Sequence, residues 1–303
     1  MSRKHRTKVH LMNKKFKRIP VIRQFSRIGY RYIYRPLRAQ FDRVTLLRLA
    51  NSTDPQAREI FHALQKLKGY IPQNEINLIA RIEEERERLL ICDEPLVDNS
   101  QYEPGLYDKG KTVRSVCKAS KSPKPLLLMY MLILAIKPSK IIELGTNLGI
   151  SSAYLATALK LNGQNGRLIT LEASPYRLRL AKQVHKNLGL KNITYIQGLF
   201  SETLSNILND IGPVDFAFID GHHQYQPTLD YFHKIWDYSI KKNMVFIFDD
   251  IRWSKGMKRA WSKIKADDRI GLSIDLVKIG ICVGTQKPLY KKHRYQPLFS
   301  PLS

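Results

Sequence analysis

A few short stretches of this 303-residue chain combine residue types that do chemistry. In Glu143-Leu144-Gly145-Thr146-Asn147-Leu148-Gly149, two glycines four apart follow an apolar run and precede a helix beginning near Ser151. Glycines at such a turn let the backbone approach a ligand closely and bend sharply into the helix. The spacing is E-x-G-x-x-x-G, without the middle glycine of the dinucleotide fingerprint, which counts against a pyrophosphate ligand. Glu172 ends the next apolar run, 27 residues past Gly145. A carboxylate there can accept hydrogen bonds from both hydroxyls of a ribose. Asp220 ends a later apolar run, Asp249-Asp250 end another, and His223 stands three residues after Asp220. An imidazole titrates near neutrality and suits proton removal.

These residues need elements that bring them together. Apolar runs at 141–144, 168–171, 193–196, 215–219 and 244–248 alternate with helix-length amphipathic stretches around 151–161, 175–188, 201–208 and 226–238. That alternation predicts a parallel sheet with helices on both faces. Ligands of such sheets bind beyond the carboxyl ends of the strands, where Gly145, Glu172, Asp220 and Asp249-Asp250 all fall. Two further runs, 273–277 and 280–283, are joined too tightly for a parallel crossover and predict an antiparallel pair. The fold class is α/β: a doubly wound, Rossmann-like sheet with a terminal antiparallel strand pair and an N-terminal helical extension.

Residues 51–111 read as that extension and a loop. Ile76, Ile79 and Ile82 recur at helical spacing, Pro72 separates this helix from an earlier one, and the loop covers 93–111. The run Glu83-Glu84-Glu85-Arg86-Glu87-Arg88 is expected on a solvated face. The core domain spans 112–286, and 287–303 form a basic tail.

Charge is uneven along the chain. Of the net +25, residues 1–50 contribute +14, with 15 Lys/Arg against the single acid Asp42. Phe16, Phe25, Tyr30, Tyr32, Tyr34 and Phe41 are interleaved with these cations. This basic arm suits a nucleic acid, an anionic membrane surface or an organelle-targeting peptide, or is a solvated or partly packed extension that only carries charge. The three cysteines Cys92, Cys117 and Cys282 show neither disulfide nor zinc spacing, which implies a reducing compartment. The most apolar run, 126–136, is 11 residues long and too short to span a bilayer. A cytoplasmic protein, peripheral to a membrane if the arm anchors it, is expected.

IIELGTNLGISSAYLA followed by LITLEAS resembles the first two motifs of class I S-adenosylmethionine-dependent methyltransferases. IDGHHQYQPTLDYF and FDDIRWSKGMKRAW extend the likeness to the D-G-x-H branch (methyltransferase domain 24 type), related to catechol O-methyltransferase-like enzymes. The resemblance implies S-adenosyl-L-methionine as cofactor. Glu143, Gly145, Thr146, Asn147 and Gly149 would line its methionine end, with Ser151 and Ser152 at the helix start to meet the carboxylate. Glu172 would hold the ribose, with Ala173 beside the adenine. Gly198-Leu199-Phe200 would reach the adenine, although the acid of the usual G-D-A motif is missing there.

Asp220 would touch cofactor or substrate and, with His223, carry catalysis. In metal-dependent relatives the positions of Asp220, Asp249 and Asp250 hold Mg2+, with an Asn where Asp250 stands. His222 has a weaker claim than His223, and Tyr225 starts the next helix. Trp253, Met257 and Trp261 are candidates for a substrate wall, with helix packing favoured for the last two. Arg252 would meet an acidic substrate group, and Cys117, Ser120, Lys121 and Ser122 lie in a stretch that folds over the cofactor in relatives. The implied reaction is O-methyl transfer to a small-molecule or glycan/lipid-linked hydroxyl. An RNA methyltransferase using the basic arm, and a non-catalytic cofactor-binding module whose arm recruits a partner, are the alternatives.

Overall fold

The computed structural model describes residues 50–52, 55–66, 70–96, 110–163, 165–240 and 243–284, together with the backbone of 293–295. Except for Ala50, the basic arm lies outside the described residues, as does the tail beyond those three positions.

Four helices precede the sheet: α1 (Pro55–Lys66), α2 (Gln73–Leu90), α3 (Val113–Ala119) and α4 (Pro123–Ile136). Strands and helices then alternate: β1 (Lys140–Leu144), α5 (Ile150–Leu161), β2 (Arg167–Glu172), α6 (Pro175–Asn187), β3 (Ile193–Gln197), α7 (Phe200–Ile211), β4 (Phe216–Ile219), α8 (Tyr225–Asp237), β5 (Val245–Phe248) and α9 (Lys255–Ala266). β6 (Ile270–Leu276), β7 (Ile279–Gly284) and β8 (His293–Tyr295) finish the sheet. Their spatial order is β3-β2-β1-β4-β5-β7-β6-β8. The first five in that order are mutually parallel, and β7 is antiparallel to both β5 and β6. The short β8, in the segment read as a tail, pairs parallel with β6.

Two-residue periodicity divides the core. Ile141, Phe216, Phe218, Val245 and Ile247 pack against α1, α2, α4 and α5 on one face. Ile142, Ala217, Ile219, Phe246 and Phe248 meet α7, α8 and α9 on the other. The most apolar segment became α4, whose residues Leu126 to Ile133 are all buried. It is a core helix of 14 residues, and no helix among the described residues is long and apolar enough to cross a membrane.

One expectation fails in α2. Glu83 and Arg86 are buried, not solvated. They stand three apart on the face that also carries Ile79, Ile82 and Leu89. Arg86 Nε donates to Glu83 Oε2 at 2.9 Å, Tyr154 OH donates to Glu83 Oε1 at 2.8 Å, and Arg86 Nη1 donates to the Lys121 carbonyl at 2.9 Å. Pairing and hydrogen bonding are what make a buried charge tolerable.

Candidate functional site

The parallel register places the ends of β1, β2, β4 and β5 at one crevice. Leu144 is opposite both Leu171 and Ile219, and Ile219 is opposite Phe248. A cavity of about 390 Å³ opens there. Of the residues singled out from sequence, Gly145, Thr146, Asn147, Ser151, Glu172, Phe200, Asp220, His222, His223, Asp249 and Asp250 line it. Ser120 and Lys121 close it from the linker between α3 and α4.

On the β1–β2 side the backbone dominates. Gly145 has φ of 107°, and a Cβ on it would lie 2.3 Å from the Asp220 carbonyl oxygen. Only glycine therefore lets the β1 turn rest against the end of β4. Glu172 is 5% exposed; its Oε2 accepts from the Asn147 amide at 2.8 Å and its Oε1 from the Ser174 amide at 3.0 Å. These bonds fix the carboxylate's plane at the cavity wall. Ser151 sits in the first turn of α5, where the amide ends favour an anionic group.

Other expected contacts point elsewhere. Glu143 is fully buried and does not line the cavity. Its carboxylate is bonded by Ser152 Oγ and, at 2.6 Å, by Thr170 Oγ1, which in turn meets Thr146 Oγ1 at 2.6 Å. Burial pushes Glu143 up to about 7, against the lowering effect of the Ser151, Ser152 and Thr170 hydroxyls. This carboxyl ties β1 to β2 and α5. The polar Thr170 inside the apolar run 168–171 was the available signal for that network.

Gly149 faces α6: its Cβ would lie 2.8 Å from His185 Nε2 and 2.9 Å from Ala181. Its need for glycine is thus helix packing, not ligand approach. His185 Nε2 donates to the Gly149 carbonyl at 2.8 Å, so Nδ1 is the acceptor for Tyr195 OH at 2.9 Å, and the ring is neutral. Burial lowers His185 to about 4, with the Gly149 bond opposing. Ser152, Ala173, Gly198 and Leu199 also fall outside the cavity lining, while Phe200 lies within it.

On the β4–β5 side charged side chains dominate. Asp220, His223 and Asp249 offer atoms all within 4.8 Å of one another. His223 Nε2 is 3.3 Å from Asp220 Oδ1. Asp250 lines the same cavity but stands outside that three-residue group, where His223 takes its place. His222 is held aside by Tyr231 OH at 2.6 Å on Nδ1. His222, His223 and Asp250 have φ of 61°, 41° and 46°, left-handed values that are uncommon outside glycine.

Asp249 is 1% exposed, and its Oδ2 forms an ion pair with Lys121 Nζ. Two carboxylates and an imidazole are donors that a divalent cation accepts. In this fold, however, Asp249 already carries the Lys121 ammonium. A dication and an ammonium sharing one buried carboxylate would repel each other in a poorly screened space. A metal therefore does not fit the site as it is folded.

The remaining candidates lie outside the cavity lining. Tyr225 is the first residue of α8, with Arg259 over its ring at 4.6 Å. Met257 is buried, with its sulfur 3.3 Å from Thr228 Oγ1, and Trp261 Nε1 donates to Asp275 Oδ2 at 3.0 Å. Arg252 also pairs with Asp275, at 3.0 Å, instead of facing the cavity. Trp253 is 75% exposed and outside the lining. Cys117 Sγ meets the Arg86 carbonyl at 3.7 Å, and Ser122 is the residue before α4. Arg177 and Gln224 line the cavity without having been singled out from sequence.

Residues 142–251 match a family model described as a methyltransferase domain. A catechol O-methyltransferase of Niastella koreensis is 33% identical over 115 residues, 37% of this chain and 50% of that protein. The chain spans half or less of the length of the first curated relatives it matches. Among solved structures, the O-methyltransferase of Bacillus cereus in complex with SAH superposes with a TM-score of 0.51 at 22% identity, covering 68% of this chain and 91% of that one. An SAH-bound Podospora anserina methyltransferase gives 0.53 at 16% identity, covering 81% and 97%. Residues 142–251 thus match a methyltransferase domain, and the chain shares the fold of these solved methyltransferase structures.

Proposed function

We propose that this protein transfers a methyl group from S-adenosylmethionine to a hydroxyl oxygen of a small-molecule or glycan/lipid-linked acceptor. The observation that carries the reading is one crevice holding both the Gly145–Glu172 cradle and, opposite it, Asp220 and His223. Similarity to the Niastella catechol O-methyltransferase supports the choice of oxygen.

The cradle suits the cofactor in three ways. Glu172 is oriented by two backbone amides and would accept from the ribose hydroxyls. Ser151 and the first turn of α5 would receive a carboxylate, and Gly145, by letting the β1 turn rest against the end of β4, would hold that turn at the cavity. Across the crevice, Asp220 would accept from an ammonium group. When bound, S-adenosylmethionine supplies an electrophilic methyl: the acceptor oxygen forms the new C–O bond while the C–S electron pair returns to sulfur.

The chain's own residues align and deprotonate. His223 takes the acceptor proton, and Asp220 beside it stabilises the imidazolium that forms. The linker at Ser120–Lys121 covers the cavity, and Asn147 Nδ2 donates to Ser120 Oγ at 3.4 Å. Alignment of donor and acceptor supplies most of the acceleration in such a displacement.

Calorimetry of S-adenosylhomocysteine binding tests the cofactor half. Glu172→Ala is expected to weaken binding about 100-fold, in keeping with the loss of two charge-assisted hydrogen bonds. Absence of saturable binding by folded wild-type protein would overturn the reading.

A further inference from the structure

We propose that Lys121 is the working cation of this site: its ammonium, seated on Asp249, fills the place of a divalent metal and presents positive charge to the acceptor oxygen. The inference rests on the methyl-transfer reading for its chemistry, but its central claim concerns charge and is tested without an acceptor.

Three observations carry it. Asp249 is buried at the end of β5 with Lys121 Nζ on its Oδ2, while its Oδ1 has no hydrogen-bond partner. A buried carboxylate of this kind needs a counter-charge, and Lys121 is the cation it pairs with among the described residues. Lys121 also lines the cavity beside Asp220 and His223. An ammonium has three donors and Asp249 Oδ2 takes one, so donors remain for an oxygen in the cavity.

The third observation is that the lysine's backbone is built in. Arg86 donates to the Lys121 carbonyl at 2.9 Å, and Arg86 is itself fixed by Glu83, which Tyr154 also holds. Both members of the Arg86–Glu83 pair have side chains less than 10% exposed, at 7% and 3%. Charges so deep are costly unless paired, and Arg86 Nε and Nη1 are bonded while Nη2 has no hydrogen-bond partner. Here the geometry positions one backbone carbonyl, that of the residue whose side chain reaches Asp249. The helical extension thereby reaches the active crevice through a single linker.

An acceptor hydroxyl entering the cavity would rest against this ammonium, which stabilises the oxyanion as the proton leaves. The positive charge is supplied by the chain itself, so bound metal is not required.

The test uses the full chain saturated with S-adenosylhomocysteine and titrated with Mn2+ alone, read by electron paramagnetic resonance. Wild type and Lys121→Arg are expected to show no saturable uptake. Lys121→Met, which leaves Asp249 and its neighbours without a counter-charge, is expected to bind Mn2+ at least about tenfold more tightly. The double variant Lys121→Met/Asp249→Asn should lose that binding. Lys121→Gln substitutes if the methionine variant does not fold. Saturable Mn2+ binding by wild type that Asp249→Asn abolishes would overturn the proposal, as would failure of the folded Lys121→Met or Lys121→Gln variant to take up Mn2+. Failure of S-adenosylhomocysteine to bind is seen separately by calorimetry and counts against the cofactor reading alone.

Discussion

The two halves of the crevice are built differently. Beyond β1 and β2 the ligand-facing surface is largely backbone and one clamped carboxylate: the Gly145 turn, the first turn of α5, and Glu172 held by two amides. Beyond β4 and β5 it is a cluster of ionisable side chains, Asp220, His223 and Asp249, with Lys121 joining them from a distant segment. His223 in that cluster, and the cluster's chain neighbours His222 and Asp250, have left-handed backbone. A surface of glycine and amides recognises a fixed shape, such as a cofactor common to many reactions. A surface of side chains can be changed one residue at a time and so sets the chemistry and the acceptor.

If this division holds, variants in the two halves fail differently. His223→Gln should slow methyl transfer by about 10²- to 10⁴-fold, the range for loss of a general base. Its S-adenosylhomocysteine affinity and melting temperature should stay at wild-type values. Radiolabel transfer into small-molecule and lipid extracts, with calorimetry alongside, measures both; loss of cofactor affinity would break the division.

Gly145→Ala should damage fold and cofactor binding together. The added Cβ meets the Asp220 carbonyl at 2.3 Å in a backbone conformation that disfavours a side chain, for a cost of about 3 kcal/mol. Denaturant unfolding should show it as a lower midpoint with unchanged slope.

A pH experiment sharpens the contrast within the β1–β2 half. His185 is lowered to about 4 by burial, so the unfolded chain binds the extra proton and stability rises with pH between about 4 and the unfolded value near 6.5. Glu143 is raised to about 7 by burial, so the folded chain keeps its proton longer and stability falls as pH rises from about 4.5 to 7. Each contributes a slope of about 1.4 kcal/mol per pH unit, of opposite sign, across the shared window. The contributions of these two groups should nearly cancel in the wild type between about pH 4.5 and 6.5. Relative to wild type, His185→Gln should add a falling slope and Glu143→Gln a rising one, measured by denaturant unfolding at several pH values.

The smallest effect is expected outside both halves. Trp253→Ser, at an exposed position off the cavity, should change stability by less than about 0.5 kcal/mol and leave cofactor affinity unaltered. A marked loss of acceptor turnover in that variant would extend the acceptor surface beyond the crevice.

The sequence by itself determined the parallel sheet and the location of the crevice. Strand and helix periods are local, and in such sheets the carboxyl ends of the strands are where ligands sit; Gly145, Glu172, Asp220 and Asp249 were therefore legible as neighbours. The antiparallel β6–β7 pair followed from its short connection. What only the tertiary structure decided depends on which distant faces meet. Glu83 and Arg86 read as solvated until α2 packed them beside Tyr154 and the Lys121 carbonyl. Glu143 and Gly149 read as ligand contacts until α5 and α6 closed on them. Nothing local to Lys121 marks it as the partner of Asp249, 128 residues later. That pairing exists because a buried carboxylate must find a cation, and only the assembled fold fixes which cation is within reach.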